Sequence, residues 1–157
     1  MTDLLQKLGI FLQAACALVA LLIIADFVFP GGITNDQVLE VIKKREDYKN
    51  AARGYHFSYK VITTGQEISV KEEFARLVHT GDTVEYSVSR IFNEVNWYKL
   101  DSSEDKSYYS LRLFTGLVLP ALVLISLVAA YLFKKNGNTL VIVFQILLIA
   151  DLVFLMM

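Results

Sequence analysis

Cysteine and histidine, two of the side chains that most often bind metal ions, are scarce in this chain of 157 residues, which contains one cysteine and two histidines. A single thiol cannot form an internal disulfide, so the protein must fold without a disulfide framework. Cys16 lies inside an apolar run, and His56 and His79 are far apart along the chain, so no cluster with the spacing of a zinc site exists. The sequence therefore predicts no metal site and no cofactor.

Catalytic and nucleotide-binding motifs are also lacking. The sequence contains no Gly-x-Ser-x-Gly nucleophile elbow, no glycine-rich phosphate loop and no dinucleotide-binding fingerprint. Glu72 and Glu73 are adjacent, so on a helix their side chains would point about 100° apart, which is a poor geometry for an acid–base pair. We therefore expect no catalytic residues and predict that the protein is not an enzyme.

An excess of charge of one sign is absent as well, because the net charge at pH 7 is −1. Without a basic footprint, the chain is not expected to bind nucleic acid. The charged residues are nevertheless segregated: twelve of the fifteen Lys and Arg and thirteen of the sixteen Asp and Glu lie between Asp36 and Arg112. The rest of the chain is strongly apolar. This pattern is typical of a membrane protein with a water-exposed insert.

Three apolar runs are long enough to cross a lipid bilayer. The first covers residues 8–29, about 33 Å as a helix against a hydrocarbon core of about 30 Å, and Pro30 ends it. The other two, at about 113–133 and 140–157, are separated by a short turn with an Asn-Gly pair, so we expect an antiparallel helical hairpin. Pro120 should kink the second helix, because proline interrupts the hydrogen bonds of a helix.

These features predict an α-helical membrane protein with three transmembrane helices plus a small extracytoplasmic α+β domain that is mostly antiparallel sheet. The expected division is an N-terminal transmembrane helix within residues 1–30, the exposed domain at 31–110 and a transmembrane hairpin within 111–157. Lys7 and the Lys134-Lys135 turn fall on the same side of the membrane, and positive charge in short segments marks the cytoplasmic side. The central domain is then outside and the N-terminus is cytoplasmic.

The Gly81-Asp82 turn and the strand after it resemble bacterial families in which a small β-barrel or half-barrel unit is tethered beside membrane helices. The resemblance covers a short stretch of the chain and implies no function. We expect the protein to lie in the cytoplasmic (inner) membrane of a bacterium and to cross it several times.

Within the exposed domain, hydrophobic periodicity predicts a first helix, several strands and a second, short helix. Thr34 and Gln37 form a capping-box pattern, and a charged helix is expected from there to Gly54. From Tyr55 the apolar residues alternate, which predicts a strand. Its core-facing side chains are expected to be Tyr55, Phe57, Tyr59 and Val61. The other predicted elements are a return strand that begins at 68–70, a short helix around 74–78, and two strands at 84–88 and 91–100.

Polar residues inside the apolar runs are candidates for function, because ionisable side chains are costly in hydrocarbon. Asp26 and Asp151 lie in similar segments, Leu-Ile-Ile-Ala-Asp-Phe-Val-Phe and Leu-Leu-Ile-Ala-Asp-Leu-Val-Phe. Together with Gln145 they could carry protons or ions, or they could be placed near the headgroups, where charge costs less. Candidate residues for close helix packing are the small side chains Ala14, Ala17 and Ala20.

The lack of catalytic sites and the aromatic content of the exposed domain favour a binding role. We interpret the chain as a small accessory or assembly subunit of a cytoplasmic-membrane complex, which binds a protein partner through its extracytoplasmic domain and helix faces. The alternatives are a proton- or ion-conducting membrane oligomer that uses Asp26 and Asp151, and a membrane-anchored sensor. The expected partners are the lipid bilayer and either another membrane protein or further copies of this chain.

The predicted orientation can be tested by thiol labelling in a Cys16→Ala background. Asn50→Cys and Asn136→Cys should lie on opposite sides of the membrane. We expect a membrane-impermeant thiol reagent to label the first position in intact cells and the second only after permeabilisation, because short positive segments stay in the cytoplasm. Labelling at position 136 but not at position 50 in intact cells would show the reverse orientation.

Overall fold

The residues described by the computed structural model are 2–29, 31–47, 54–133 and 139–156. The chain divides into two units. The sheet unit is Pro30–Arg112, and the helical unit is Met1–Phe29 together with Leu113–Met157. The charged middle of the sequence therefore forms one unit, and the apolar segments form the other.

Helices and strands are present in the following order along the chain. The helices are α1 (Thr2–Val28), α2 (Glu72–Leu77), α3 (Ser110–Leu113), α4 (Leu119–Leu132) and α5 (Thr139–Leu155), with a π-helical segment at Phe114–Val118. The strands are β1 (Gly32–Asp47), β2 (Tyr55–Thr63), β3 (Glu67–Val70), β4 (Thr83–Val88) and β5 (Val95–Leu100). The strands form one curled antiparallel sheet in the order β3-β2-β1-β4-β5. The prediction of antiparallel sheet combined with helices is confirmed.

The central strand, β1, contributes to both halves of the sheet. Residues 32–37 pair with β4 and residues 38–47 pair with β2, with a bulge between Val38 and Glu40. The Gly81-Asp82 turn forms hydrogen bonds with β1 at the changeover, the point where the pairing of β1 changes from β4 to β2. The Val38 N–H donates to the Asp82 carbonyl (2.8 Å), and the Gly81 N–H donates to the Val38 carbonyl (2.9 Å). Strands that pass between two halves of a sheet commonly bend at such a bulge.

The helix predicted from Thr34 onward is wrong in its described part, because residues 32–47 form β1. The capping-box pattern is not used, since the Gln37 side-chain amide donates to the Gly81 carbonyl (3.2 Å) instead. Pairing with β4 and then β2 satisfies the backbone of this segment, and such tertiary pairing outweighs a local pattern of charge. The predicted end of the helix, at Arg53, lies outside the described residues.

The core of the sheet unit includes α2 and side chains from all five strands. Phe74 of α2 packs edge-on against Tyr98 of β5, with ring centroids 4.6 Å apart and an interplanar angle of 64°. This is the preferred geometry of aromatic pairs. The other buried members of the core are Val38, Tyr59, Val61, Ile68, Val70, Val78, Val84 and Tyr86.

The predicted strands and short helix that follow residue 54 are present as β2, β3, α2, β4 and β5. The predicted core face of β2 is only partly correct. Tyr59 and Val61 are buried, whereas Tyr55 is 53% and Phe57 is 40% exposed. The reason is that β3 pairs with β2 only over residues 59–62, so the first part of β2 extends beyond its neighbour.

Two helices of the described chain are long and apolar enough to cross a membrane, judged by length and composition: Lys7–Val28 and Ser110–Leu132. The third apolar helix, α5, is shorter, with 17 residues. In the helical unit α1 packs against α4, and α4 packs against α5. Many large apolar side chains of these helices remain exposed, among them Phe11, Leu18, Ile125 and Ile146.

Pro120 determines the local form of the second long helix. Proline has no N–H and its ring clashes with the carbonyl four residues earlier, so a regular α-helix is disfavoured just before it. Here the chain widens into the π-helical turn Phe114–Val118 before α4 begins. Gly116 in this turn lies against α1, since a Cβ added to it would be 2.5 Å from Phe27 Cδ2. The glycine therefore permits a close approach of the two helices.

Alanine substitutions on α2 should separate core from surface positions, because Phe74 is 7% exposed and Leu77 is 65% exposed. We expect Phe74→Ala to lower the free energy of unfolding by about 3–5 kcal/mol, the range for buried phenylalanine. Leu77→Ala, the matched control, should change it by less than about 0.5 kcal/mol. Pulse proteolysis of the full-length protein in detergent measures both effects. Equal protease resistance of the two variants would contradict the core described here.

Candidate functional site

A cleft of about 570 Å³ lies in the sheet unit beside the first part of β2. One side is formed by β2, and the other by the segment that follows β3, including α2. The lining of the cleft includes His56, Phe57, Ser58, Tyr59, Lys71, Glu72, Glu73, Arg76 and Tyr109. A volume in this range is typical of ligand-binding clefts.

The cleft exists because β3 ends early. The last residue pair between β2 and β3 is Tyr59 with Val70. At the next residue, the Lys71 N–H donates to the hydroxyl of Tyr98 (2.8 Å), and α2 begins at Glu72. The chain therefore turns away from β2 at this point. Burial raises the pKa of the Tyr98 hydroxyl, so this acceptor stays protonated and neutral at physiological pH.

Aromatic and cationic side chains alternate on the same side of the β1–β2 ribbon, next to the cleft. Lys43 Nζ lies 4.0 Å from the centroid of the Phe57 ring, and Arg45 Cζ lies 4.2 Å from that of Tyr55. The two rings contact each other edge-on, with centroids 5.5 Å apart. Cation–π contacts at exposed sites contribute about 0.5–1 kcal/mol each. They favour one arrangement of the exposed rings, so this surface is largely preformed.

Charges on the helical side of the cleft are balanced. Arg76 Nη2 lies 2.6 Å from Glu72 Oε1, one turn away on α2. The hydrogen bond from Arg76 is the main reason that the pKa of Glu72 is lowered, and the same contact raises the pKa of Arg76. Glu72 is therefore ionised at neutral pH. Lys71 and Glu73 add one charge of each sign, so the lining has no net charge to select a ligand.

The histidines lie beside different carboxylates. His56 Nε2 is 3.9 Å from Glu46 Oε2, and His79 Nδ1 is 3.8 Å from Asp82 Oδ2. In the described ranges, no group of three or more His, Cys, Asp or Glu is placed to hold a metal ion. What the cleft offers chemically is aromatic surface, strand backbone and balanced charge, which together suit the binding of a polypeptide or a small molecule.

The candidate intramembrane residues Asp26, Gln145 and Asp151 are all buried, with 4%, 7% and 6% of their surface exposed. On α5, Gln145 and Asp151 are buried together with Leu148, so these two candidates share the inward side of their helix. Gln145 Nε2 has no hydrogen-bond partner within the part of the chain that the structure describes. These polar groups therefore lie on the inward sides of their helices, and their positions suit contacts between helices.

The small-residue stripe of α1 is divided between buried and exposed positions. Ala20 is buried, Ala17 is half-buried and Ala14 is exposed. The buried side of α1 also contains Cys16 and Ile23, which lie four and three residues from Ala20, as expected for one face of a helix. Within this chain α1 therefore packs through Cys16, Ala20 and Ile23. Ala14 and Ala17 remain candidates for contact with a partner helix.

Two polar clusters of the sheet unit, one buried and one partly buried, were not predicted. Arg112 Nε donates to Asn96 Oδ1 (2.9 Å), and both residues are buried. The sequence feature that could have indicated this pair is the position of Arg112 at the boundary of an apolar run. Asp36 accepts hydrogen bonds from the Tyr86 hydroxyl and from Thr64 Oγ1 (3.2 Å), and burial followed by the Asp36 contact raises the pKa of Tyr86. Nothing in the local sequence indicates this second cluster.

Comparison with known proteins gives no match to this chain, whether with protein-family models, with curated proteins or with solved structures.

The Tyr98 hydroxyl should be necessary for the turn that forms the cleft. In Tyr98→Phe the Lys71 N–H loses its acceptor, which should cost about 1–3 kcal/mol of unfolding free energy. The folded-state pKa of Tyr98 is raised, so the hydroxyl's contribution is complete below the unfolded pKa of about 10 and is lost as the pH rises through the folded pKa. The stability difference between the wild type and Tyr98→Phe should therefore shrink above about pH 10.

Thermal unfolding of the full-length protein in detergent, measured at neutral pH and at about pH 11, tests both effects. Tyr55→Phe is the control, because the Tyr55 side chain is more than half exposed. It should change neither the stability nor its pH dependence. If Tyr98→Phe were as stable as the wild type at neutral pH, the proposed role of this hydrogen bond would be wrong.

Proposed function

We propose that the protein is a small membrane-anchored accessory or assembly subunit, which binds a protein partner through the sheet unit and through exposed helix faces. The observation that carries this proposal is the cleft beside β2, where exposed aromatic rings are held by Lys43 and Arg45 and where the charges of the lining balance. Aromatic residues and arginine are enriched at protein interfaces relative to the rest of the surface.

The proposed membrane anchor consists of three helices, namely Lys7–Val28, Ser110–Leu132 and α5. Exposed apolar side chains on all three, such as Leu18, Ile125 and Ile146, support this, because large exposed apolar surfaces mark membrane or protein contacts. The 17 residues of α5 would span about 26 Å, slightly less than a hydrocarbon core of about 30 Å. Bilayers accommodate a mismatch of this size at modest cost.

In the proposed orientation the sheet unit faces the outside of a bacterial cytoplasmic membrane. Lys7 and the Lys134-Lys135 pair support it, because short positively charged segments remain on the cytoplasmic side. The protein partner of the sheet unit would then be met outside the cytoplasm.

The helices contribute packing and a second contact surface to the proposed complex. Buried polar groups such as Asp26 and Asp151 stabilise specific helix arrangements in this proposal, since hydrogen bonds between membrane helices contribute about 0.6 kcal/mol on average. The exposed Ala14 and the half-buried Ala17 would allow the backbone of a partner helix to approach closely. We therefore assign the partner-facing side of the anchor to α1.

A second candidate function is a proton- or ion-conducting oligomer that uses Asp26 and Asp151. It is favoured by the burial of both acids and by Gln145 Nε2, which has no hydrogen-bond partner among the described residues. Buried ionisable side chains in membrane helices often lie on ion or proton paths.

Substitutions of Asp26 separate the two candidates. Asn keeps the shape and most of the hydrogen bonding of Asp but cannot ionise. For an accessory subunit we expect Asp26→Asn to retain a heteromeric complex after mild solubilisation of native membranes. Asp26→Leu removes the polar contact and should reduce the recovered partner several-fold. Quantification of the copurifying polypeptide measures this effect, and the same two substitutions at Asp151 repeat the test at an independent site.

The conducting oligomer makes the opposite prediction. It would purify without any other polypeptide, and Asp26→Asn would abolish proton-dependent uptake into vesicles while expression and oligomeric state stay normal. That combination of results would replace the accessory function by the conducting one.

A further inference from the structure

The first part of β2 has a strand neighbour on one side only. Among the described residues, Tyr55–Ser58 pair with β1, whereas β3 pairs with β2 from Tyr59 onward. Continuation of the β2–β3 register would place Glu72 opposite Phe57, but Glu72 is the first residue of α2. The side of β2 that borders the cleft is therefore an open strand edge.

This edge presents hydrogen-bonding groups of the main chain. The Thr63 N–H donates to the Gln66 carbonyl (2.9 Å) across the β2–β3 turn, so odd-numbered residues of β2 direct their backbone groups towards the β3 side. By the same alternation Tyr55 and Phe57 direct their N–H and C=O groups to the open edge. Unpaired groups of this kind are a template for a further strand.

We propose that this edge binds an extended segment of a partner protein by strand addition. The inference deepens the proposed function and rests on the sheet unit binding a protein. The added strand continues the sheet where β3 stops, and it lies in the cleft between β2 and α2. Hydrogen bonds to the main chain supply the affinity, and pockets for alternate side chains supply the specificity.

The surroundings of the edge define the chemistry of the bound segment. Its side chain opposite Phe57 lies beside the rings of Phe57 and Tyr59 and is apolar. The residues before and after it lie on the side of His56 and Ser58 and are polar. Because the charges of the lining balance, the segment needs no net charge. The recognised pattern is a short alternation of polar and apolar residues in an extended chain.

A single extended segment fits this edge better than a second copy of the chain. Besides β2, the cleft is lined by α2 and Tyr109, so a strand added at this edge has other parts of this chain beside it, which disfavours a strand that carries its own sheet neighbours. The open edge, residues 55–58, is about 13 Å long, which is little for symmetric pairing of two sheets. An extended segment can continue past both of its ends.

A fluorescent octapeptide of alternating valine and threonine tests the site on the full-length protein in detergent. Two derivatives carry N-methyl groups on alternate amides, one along each edge of the peptide. Strand addition predicts that one derivative binds at least about tenfold more weakly than the parent peptide and that the other binds as well as the parent. No binding of the parent, or equal weakening by both derivatives, would overturn the proposal.

Two substitutions at position 57 distinguish the contribution of the main-chain N–H to binding from that of the phenylalanine ring. Phe57→Pro removes the outward N–H without removing a bond to β1, a place where strands tolerate proline. Phe57→Ala loses the ring and keeps the N–H. We expect the proline variant to bind the octapeptide at least about tenfold more weakly than the alanine variant. Equal binding by two folded variants would rule out strand addition, and the N-methyl comparison decides the matter if the proline variant does not fold.

Copurification with the same variants distinguishes this inference from the proposed function. Loss of both the octapeptide and the partner in Phe57→Pro, but not in Phe57→Ala, supports both. If the wild type copurifies with a partner but does not bind the octapeptide, strand addition is wrong and the accessory function still stands. If the protein binds the octapeptide but purifies without any other polypeptide, the accessory function is wrong and strand addition still stands. A dimer that becomes monomeric in Phe57→Pro would assign the edge to a second copy and overturn the proposal.

Discussion

The sheet unit depends on the way in which β1 divides its hydrogen bonds between two neighbours. Its first half pairs with β4 and its second half with β2, and the changeover occurs at the buried Val38, where the Gly81-Asp82 turn supplies backbone partners. Because β1 continues to Asp47, β2 stays paired with it over residues that β3 does not reach. The cleft, the exposed rings and the open edge of β2 all follow from this one extended pairing.

A different constraint governs the helical unit. Pro120 interrupts the regular hydrogen bonding of the second long helix, and the π-helical turn before it absorbs the interruption. The same turn contains Gly116, whose lack of a side chain lets the helix lie against Phe27 of α1. Polar side chains, among them Gln145 and Asp151, occupy buried positions. Large apolar side chains are left on the outer surface of these helices, two of which are long and apolar enough to cross a membrane.

The elements with a clear period could be predicted from the sequence, and those defined by distant contacts could not. Alternation from Tyr55 onward identifies β2, and the three apolar runs identify the helices. In β1 the charged residues and the capping-box pattern at Thr34 favour a helix locally, so only its pairing with β4 and β2 shows that it is a strand. The cleft could not be predicted from the sequence for the same reason, because it depends on the contact between Lys71 and Tyr98, which are 27 residues apart.

The changeover in β1 has a consequence for the order in which the sheet forms. Strands β1, β2 and β3 follow one another along the chain, so that half of the sheet can assemble from neighbouring segments. Pairing of Gly32 with Val88 requires closure of a much longer loop, which adds an entropic cost and slows folding. The start of β1 is therefore the strand segment expected to become ordered last. Until then its backbone is exposed to misassociation with other chains.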